Sequence, residues 1–361
     1  MRTYISIFQL FCIITLSTGV SNHSLLVPLL LHAGMRDTWL GVSLTLLLLV
    51  LPVCLLFHKL LRQAEPGGLT GLLATRYGRF ATVAVKAPFF IFAYGFMFIA
   101  LKETMTWINV TYLPRTPPLL LAFAIILLCA FIALSGLRTL AIMSGLLLPL
   151  VVALGIFVTV VTMQYVDFSI LFPLFTQGVR PSANSAAYAA TGLMELVFLL
   201  VVSRYVKQPF KRWHVIAFGA VIIGLTVVPV AAVISIFGPF EAADLRYPTF
   251  EQWRMGMLGK FITRLDSFSV YQWISGVVVR IQFYLLIMVE LLPSSRPLHR
   301  PAAVLLIGGS IIALAALPLN DVMLFDMMYR YFFPGWLGIC AALALALLVV
   351  TRPLARRREA S

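Results

Sequence analysis

The sequence predicts an all-α integral membrane protein with about ten transmembrane helices. Of its 361 residues, 61% are hydrophobic and only 11% are charged, whereas soluble globular domains carry roughly 25% charged residues. The apolar residues fall into ten segments of about the length that a helix needs to cross a bilayer, which is roughly 20 residues. These segments are 5–31, 39–57, 80–108, 119–137, 139–163, 185–205, 215–237, 265–292, 302–319 and 332–350.

The distribution of charge predicts how these segments are oriented. With both termini in the cytoplasm, the inner side carries 16 Lys and Arg residues and three acidic residues, while the outer side carries nine of each sign. An excess of cations in cytoplasmic loops is the usual signal of membrane orientation. The formal net charge of +14 therefore reflects topology, and we expect no nucleic-acid partner. The basic segment 351–361 is expected to be a cytoplasmic tail.

Two of the ten segments are interrupted by polar and small residues near their centres. Residues 17–24 read Ser-Thr-Gly-Val-Ser-Asn-His-Ser, and residues 188–195 read Tyr-Ala-Ala-Thr-Gly-Leu-Met-Glu. Interrupted segments at matching positions of two inverted halves indicate a transporter-type ligand site at mid-membrane. The pattern predicts a five-plus-five inverted repeat, about 5–163 and 185–350, with helices 1 and 6 broken. Close packing of helices at small residues is the alternative explanation.

The two interruptions supply the candidate ligand-binding residues. Backbone N–H groups at the end of a half-helix attract anions, so we expect the amides around Gly19 to hold a carboxylate. Carbonyl groups at the opposite helix end would hold an ammonium group. Three serines of the eighth segment, Ser267, Ser269 and Ser275, are further candidates for the pocket wall. The candidate ligand-binding residues are Thr18, Gly19, Val20, Ser21, Asn22, Ala190, Thr191 and Gly192.

Two oppositely charged residues lie near the middle of the membrane in separate segments. Glu195 is in the sixth segment and Arg280 is in the eighth. A charge at this depth costs roughly 2.5–3.5 kcal/mol on insertion scales, so it needs a partner, a proton or water. We predict that Glu195 and Arg280 meet across the helix bundle. The pair would be either a structural strut or a titrating group that couples ligand binding to movement.

Three other polar residues have less specific interpretations. His23 lies within the interruption of the first segment, where it is either a polar cavity residue or a hydrogen-bonded packing residue. Lys86 and Glu103 lie nearer the ends of the third segment, and we expect both to extend their charged ends to the membrane surface.

The sequence shows no arrangement of residues that is typical of an enzyme. It contains no phosphate-binding glycine loop, no zinc-ligand spacing and no nucleophile elbow. Its four cysteines lie in apolar runs without a Cys-x-x-Cys spacing, which favours a packing role. We therefore expect a protein that is not an enzyme and that needs no metal or cofactor.

Several motifs resemble a known family, the GerAB-type spore germination proteins. Residues 5–11 (Ile-Ser-Ile-Phe-Gln-Leu-Phe), the stretch 19–28 and residues 34–39 (Gly-Met-Arg-Asp-Thr-Trp) resemble its N-terminal signature. Residues 263–267, with an Arg-x-Asp pattern that is followed by Trp273, resemble its pattern at the eighth segment. Glu195, which follows Gly192, resembles its acidic position in the sixth segment.

The resemblance implies a fold, a location and a set of partners. The fold would be that of the amino acid–polyamine–organocation (APC) superfamily of permeases, which is LeuT-like. The protein would be the B subunit of a germinant receptor in the inner membrane of a bacterial endospore. Its partners would be an A subunit with a soluble domain and a lipid-anchored C subunit, and its ligand would be a small-molecule germinant, usually an amino acid.

Three functions remain open on the sequence alone. The first is a sensor that binds a germinant and passes a conformational change to its partners. The second is a proton-coupled amino acid secondary transporter, and the third is a conduit for ions or water that opens during germination. A sensor needs two states that differ in ligand affinity, whereas a transporter needs a complete cycle of alternating access.

Overall fold

The structure, a computed structural model, describes residues 4–64, 68–258, 262–292 and 299–358. These residues form helices and no β-strand, which confirms the all-α prediction. Within the described residues, seven stretches are long and apolar enough to cross a membrane, so the chain is a multi-pass membrane protein. The seven stretches are Val27–Gln63, Thr82–Thr111, Pro118–Ser135, Leu137–Tyr165, Arg180–Tyr205, Arg212–Phe237 and Ser267–Leu291.

The N-terminal helices follow the first five predicted segments. The first begins with a capping box, in which Ser6 and Gln9 each bond the backbone N–H of the other. Gly136, at φ +94°, separates the fourth and fifth segments two residues before the predicted boundary, in a conformation that favours glycine. The helices are α1 (Ile7–Val20), α2 (Val27–Gly34), α3 (Thr38–Leu44), α4 (Val50–Ala64), α5 (Gly68–Thr111), α6 (Pro118–Ser135) and α7 (Leu137–Thr162).

The C-terminal helices follow the other five segments and add two short helices between the seventh and eighth segments. Those two, α11 and α12, each begin with a proline at the first helical position, where its missing N–H is not needed. The helices are α8 (Arg180–Leu193), α9 (Leu199–Val202), α10 (Arg212–Phe237), α11 (Pro239–Asp244), α12 (Pro248–Met255), α13 (Ser267–Leu291), α14 (His299–Ala315), α15 (Asp321–Met327) and α16 (Phe333–Arg358).

Helix α13 is the centre of the bundle, and α7 lies at its edge. Helix α13 packs against α1, α5, α6 and α7. In its most apolar part 83% of the residues are buried, against 11% in the most apolar part of Leu137–Tyr165, which contains α7. The apolar surface of α7 therefore faces the bilayer. Helix α8 packs against α2 and α3 on another side of the bundle.

The interruption of the first segment is a change of helix type, and the chain does not unwind there. Between α1 and α2 lies a π-helical turn, Ser21–Leu25. The Thr18 hydroxyl donates to the Ile14 carbonyl at 2.7 Å, and the Asn22 amide donates to the Thr18 carbonyl at 3.0 Å. These polar side chains are thus satisfied within their own helix. Gly19 lies inside regular α-helix, so the free amides expected around it are not present.

The sixth segment also keeps its helical path. Helix α8 passes directly into the 3₁₀ turn Met194–Phe198, and α9 follows without a loop. The end of this segment is joined to the start of the chain by two backbone hydrogen bonds. The Ile5 N–H donates to the Tyr205 carbonyl at 2.9 Å, and the Lys207 N–H donates to the Ile5 carbonyl at 3.1 Å.

Candidate functional site

The two charges predicted to meet at mid-membrane form a buried ion pair. Arg280 on α13 donates from Nη1 and Nη2 to the two carboxylate oxygens of Glu195, at 2.9 and 3.1 Å. Each side chain is only 1% exposed. The Tyr284 hydroxyl donates to the same carboxylate at 2.8 Å, and Arg280 also donates to the Ser17 carbonyl of α1 at 2.7 Å. The predicted contact is confirmed, while its role stays a prediction.

Aromatic rings enclose the guanidinium group of this pair. The Arg280 guanidinium carbon lies 5.0 Å from the ring centroids of both Phe96 and Tyr284. A cation over an aromatic face is attracted by the negative centre of the ring, most strongly where water is excluded. Phe96 belongs to α5, so the arginine connects α1, α5, α13 and the 3₁₀ turn that carries Glu195. Four parts of the bundle therefore depend on one buried side chain.

Two of the predicted ligand-binding residues, Asn22 and Gly192, pack against each other. A Cβ atom at Gly192 would lie 1.9 Å from Asn22 Oδ1, so only glycine allows α8 to approach this closely. The Asn22 oxygen also accepts a hydrogen bond from Thr226 at 3.4 Å. The Thr191 hydroxyl donates to the Tyr188 carbonyl at 2.6 Å. Close packing, the alternative explanation for the small residues, describes this contact.

A cavity of about 400 Å³ lies beside α1, and Gly19 and His23 are in its wall. Helices α7, α10 and α13 supply the other walls, and α12 forms the roof with Thr249, Phe250 and Trp253. The lining is mostly apolar, and among the described residues that form it none is charged. Ligand sites are typically mostly apolar cavities with a few polar groups that fix orientation.

The polar groups of the cavity are neutral. The amide nitrogen of Gln272 donates to the Val151 carbonyl at 3.3 Å, which leaves its oxygen as an acceptor. His23 Nδ1 lies 3.4 Å from the Leu225 carbonyl. The tautomer with hydrogen on Nδ1 makes this bond and leaves Nε2 as an acceptor. With the hydroxyl-bearing Ser269 and Thr159 of the lining, they give the cavity a set of neutral hydrogen-bonding groups.

The predicted site residues are thus divided between two places. Gly19, His23 and Ser269 line the cavity, and Val20 is the last residue of α1. The others are buried outside the cavity lining, at or near the contact between Asn22 and Gly192; they are Thr18, Ser21, Asn22, Ala190, Thr191 and Gly192.

Sequence reasoning missed Gln272 as a site residue. Ser269, Gln272 and Gly276 are spaced by three and four residues, and such residues share one face of a helix. A polar amide in an otherwise apolar segment, on the same face as a serine and a glycine, was the available signal. All three line the cavity.

The cysteines and other potential ligands form no metal site in the described part of the chain. The four cysteines are buried and free. No group of three or more His, Cys, Asp or Glu side chains lies close enough together there to hold a metal ion.

The loop that carries the roof of the cavity is fastened by a second ion pair. Arg246, between α11 and α12, donates to Glu103 of α5 at 2.5 Å, and Tyr247 donates to the same carboxylate at 3.4 Å. Burial and the adjacent Glu103 charge raise the pKa of Tyr247, so its hydroxyl keeps its proton. The expected extension of Glu103 to the membrane surface is wrong, because the carboxylate is fully buried against Arg246.

We expect Arg246→Ala to loosen the roof of the cavity. The change leaves the buried Glu103 carboxylate without its cation, and an unsatisfied buried group costs roughly 1–3 kcal/mol or more. Amide hydrogen exchange in 239–255 should become faster in the purified variant. Arg254→Ala is the matched control, because its partner Glu251 lies in the same helix and both are partly exposed. Equal exchange in the two variants would contradict a fastening role for Arg246.

The fold and the site together define a class of protein, a permease-like helical membrane protein with a cavity beside an irregular first helix. A sequence model of the family described as "Spore germination protein" matches residues 4–318. The chain is 31% identical over 332 residues to "Spore germination protein XB" of Bacillus anthracis, covering 91% of this chain and 92% of that protein.

A second relative gives the same result. The "Putative spore germination protein YfkT" of Bacillus subtilis (strain 168) is 25% identical over 279 residues, covering 76% of this chain and 75% of that protein. The chain belongs to the spore germination protein family, which confirms the resemblance found in its motifs.

Proposed function

We propose that the chain is the nutrient-sensing subunit of a spore germination receptor, and that it binds a small germinant in the cavity beside α1. The observation that carries this proposal is the position of the cavity. Gly19 of α1 lines it, and two residues earlier the Ser17 carbonyl accepts a hydrogen bond from the buried Arg280. Ligand contact and the mid-membrane ion pair are therefore joined by half a turn of one helix.

The lining favours an amino acid with an apolar side chain as the germinant. Its walls are largely apolar and carry no charged side chain among the described lining residues. A ligand with a net charge would be left without a partner there, which is costly in a buried site. A zwitterionic amino acid carries a charge at each end, and the neutral groups of Gln272, Ser269 and His23 would hold these two ends by hydrogen bonds.

Signalling would proceed through α1. A ligand shifts a conformational equilibrium only by its difference in affinity for the two states. A germinant that fits one position of α1 better than another would also select one arrangement of Arg280 and Glu195. The 3₁₀ turn Met194–Phe198 that carries Glu195 would then pass the change towards the partner subunits.

The proposal extends to topology and location. The chain would cross the inner membrane of the endospore ten times, as two inverted repeats, 5–163 and 185–350, with a cytoplasmic tail at 351–361. Both termini would be cytoplasmic, which the charge asymmetry supports. The A and C subunits of the germinant receptor would be its partners. The names of the two relatives support a role in germination.

Filling the cavity is expected to abolish the response to one class of nutrient. A Cβ atom at Gly224 of α10 meets no neighbouring atom within 4 Å, and the residue lines the cavity. Gly224→Leu therefore places a side chain in the ligand space without a clash at its Cβ. The gene would be deleted in its own spore-forming host, and the spores would be tested against amino acids, sugars and nucleosides. The wild-type gene should restore the lost response and Gly224→Leu should not.

Gly309→Leu is the matched control, because Gly309 is an exposed helical glycine that also has open space around its Cβ. A germination response with Gly224→Leu equal to that with Gly309→Leu would exclude this cavity as the germinant site. Saturable uptake of labelled amino acid by proteoliposomes that contain this chain alone would instead support the proton-coupled transporter.

A further inference from the structure

The cavity has a lateral mouth between α7 and α10. Val152, Ile156 and Val160 of α7 and Val228 of α10 all line the cavity. The same side chains are also exposed on the outside of the bundle, Ile156 by 61%, Val160 by 67% and Val228 by 55%. Side chains that both line a cavity and reach the outer surface mark its opening. Helix α1 lies behind this opening and α12 closes it on one side, because each packs against both α7 and α10.

The mouth opens into the bilayer. Helices α7 and α10 both belong to stretches that are apolar and long enough to cross a membrane. Val228 lies nine residues before the end of α10 at Phe237, which is about 14 Å along a helix axis. Ile156 lies six residues before the end of α7 at Thr162, or about 9 Å. The opening is thus at the depth of acyl chains, in the leaflet where both helices end.

The side chains of the mouth are apolar, as is the acyl-chain region of the bilayer that surrounds them. All four mouth residues are aliphatic, and the lining behind them is mostly apolar. A mostly apolar lining favours apolar occupants over water. At this depth the available apolar molecules are the hydrocarbon chains of membrane lipids.

We infer that one acyl chain of a membrane lipid enters the cavity through the mouth between α7 and α10. The chain occupies the space beside Gly19 and α13, and its headgroup stays at the membrane surface. This inference uses the cavity and its mouth alone, so it does not depend on the identity of the germinant. If the germinant binds in the same space, lipid and germinant compete for it.

The test is photolabelling of the purified full-length chain in vesicles of phosphatidylcholine that carries a diazirine near the end of one acyl chain. Leu16 and Trp273 line the cavity and are only 2% and 6% exposed. We expect mass spectrometry to find lipid adducts on these two residues. Adducts are also expected on exposed lipid-facing residues such as Phe123 of α6, which is 53% exposed.

Gly224→Leu should abolish the adducts on Leu16 and Trp273 and leave those on Phe123 unchanged, while Gly309→Leu should change neither. Adducts on Phe123 alone in the wild-type protein would overturn the inference, and so would interior adducts that persist at the wild-type level in a folded Gly224→Leu protein. The adducts on Leu16 and Trp273 are measured in the wild-type protein, so this part of the test does not depend on whether a variant folds. Photolabelling does not measure the germination response. A negative photolabelling result would therefore overturn lipid entry without overturning germinant binding, and a normal germination response with Gly224→Leu would do the reverse.

Discussion

Arg280→Met is expected to lower the free energy of unfolding by about 3–5 kcal/mol, the cost of leaving one partner of a buried ion pair uncompensated. The methionine fills part of the same space but leaves the Glu195 carboxylate with the Tyr284 hydroxyl as its one donor among the described residues. It also removes the hydrogen bond to the Ser17 carbonyl, which links α13 to α1. The thermal unfolding midpoint of the purified protein in detergent measures the effect, and spores that carry the variant should not respond to the germinant.

Three further variants separate charge from geometry at this site. Arg280→Lys keeps the charge but loses the bidentate hydrogen bonding to Glu195. Its unfolding midpoint should therefore lie between those of Arg280→Met and the wild type. Glu195→Arg alone should be as damaging as Arg280→Met. Combining Glu195→Arg with Arg280→Glu should recover part of the loss if the pair is a strut. An Arg280→Met protein as stable as the wild type would contradict the structural importance of the pair.

Gly192→Val is expected to give the second largest effect, because it forces apart the two interrupted segments. Its Cβ would lie 1.9 Å from Asn22 Oδ1, a separation that no pair of nonbonded atoms tolerates. Overpacking of a tight interior typically costs about 1–3 kcal/mol, and occasionally more. The unfolding midpoint should fall, and the germination response should be lost with it.

A second change at the same contact makes this expectation specific. Asn22→Ala removes the amide that Cβ of residue 192 would strike, so Gly192→Ala combined with Asn22→Ala should be more stable than Gly192→Ala alone. Gly309→Ala, where the added Cβ has open space, should leave the midpoint unchanged or slightly raised, since alanine favours helix. If Asn22→Ala gives no relief, the contact between these two residues is not what limits the size of residue 192.

The features that sequence predicted well depend on local composition or on isolated charges. Apolar runs determine which residues form the membrane helices, and most predicted boundaries of these helices fall within a few residues of the observed ones. Glu195 and Arg280 were predictable as partners because each is a charge that hydrocarbon does not tolerate alone. The break between the fourth and fifth segments was predicted at residue 138, and the structure places it two residues earlier, at Gly136.

The features that sequence missed depend on which distant helices become neighbours. Glu103 and Arg246 are 143 residues apart and meet only because the loop that carries α11 and α12 folds back on α5. The cavity forms where α1, α7, α10 and α13 leave a gap, and no periodic pattern in any one helix records a gap between four of them. The irregularity of α1 was predicted, but side-chain hydrogen bonds such as that of Asn22 to Thr18 keep its path helical.

The backbone hydrogen bonds between Ile5 and residues 205 and 207 have a mechanical consequence. They bind the starting end of the first segment to the finishing end of the sixth, on the same side of the membrane. If the two segments move as rigid bodies that are joined at one end, only the angle between them can change. The displacement of a residue then grows with its distance from the joined ends. A small rotation at this shared pivot would thus be largest at the opposite ends of the two helices, so a label on α2 would report movement more sensitively than a label near Ile5.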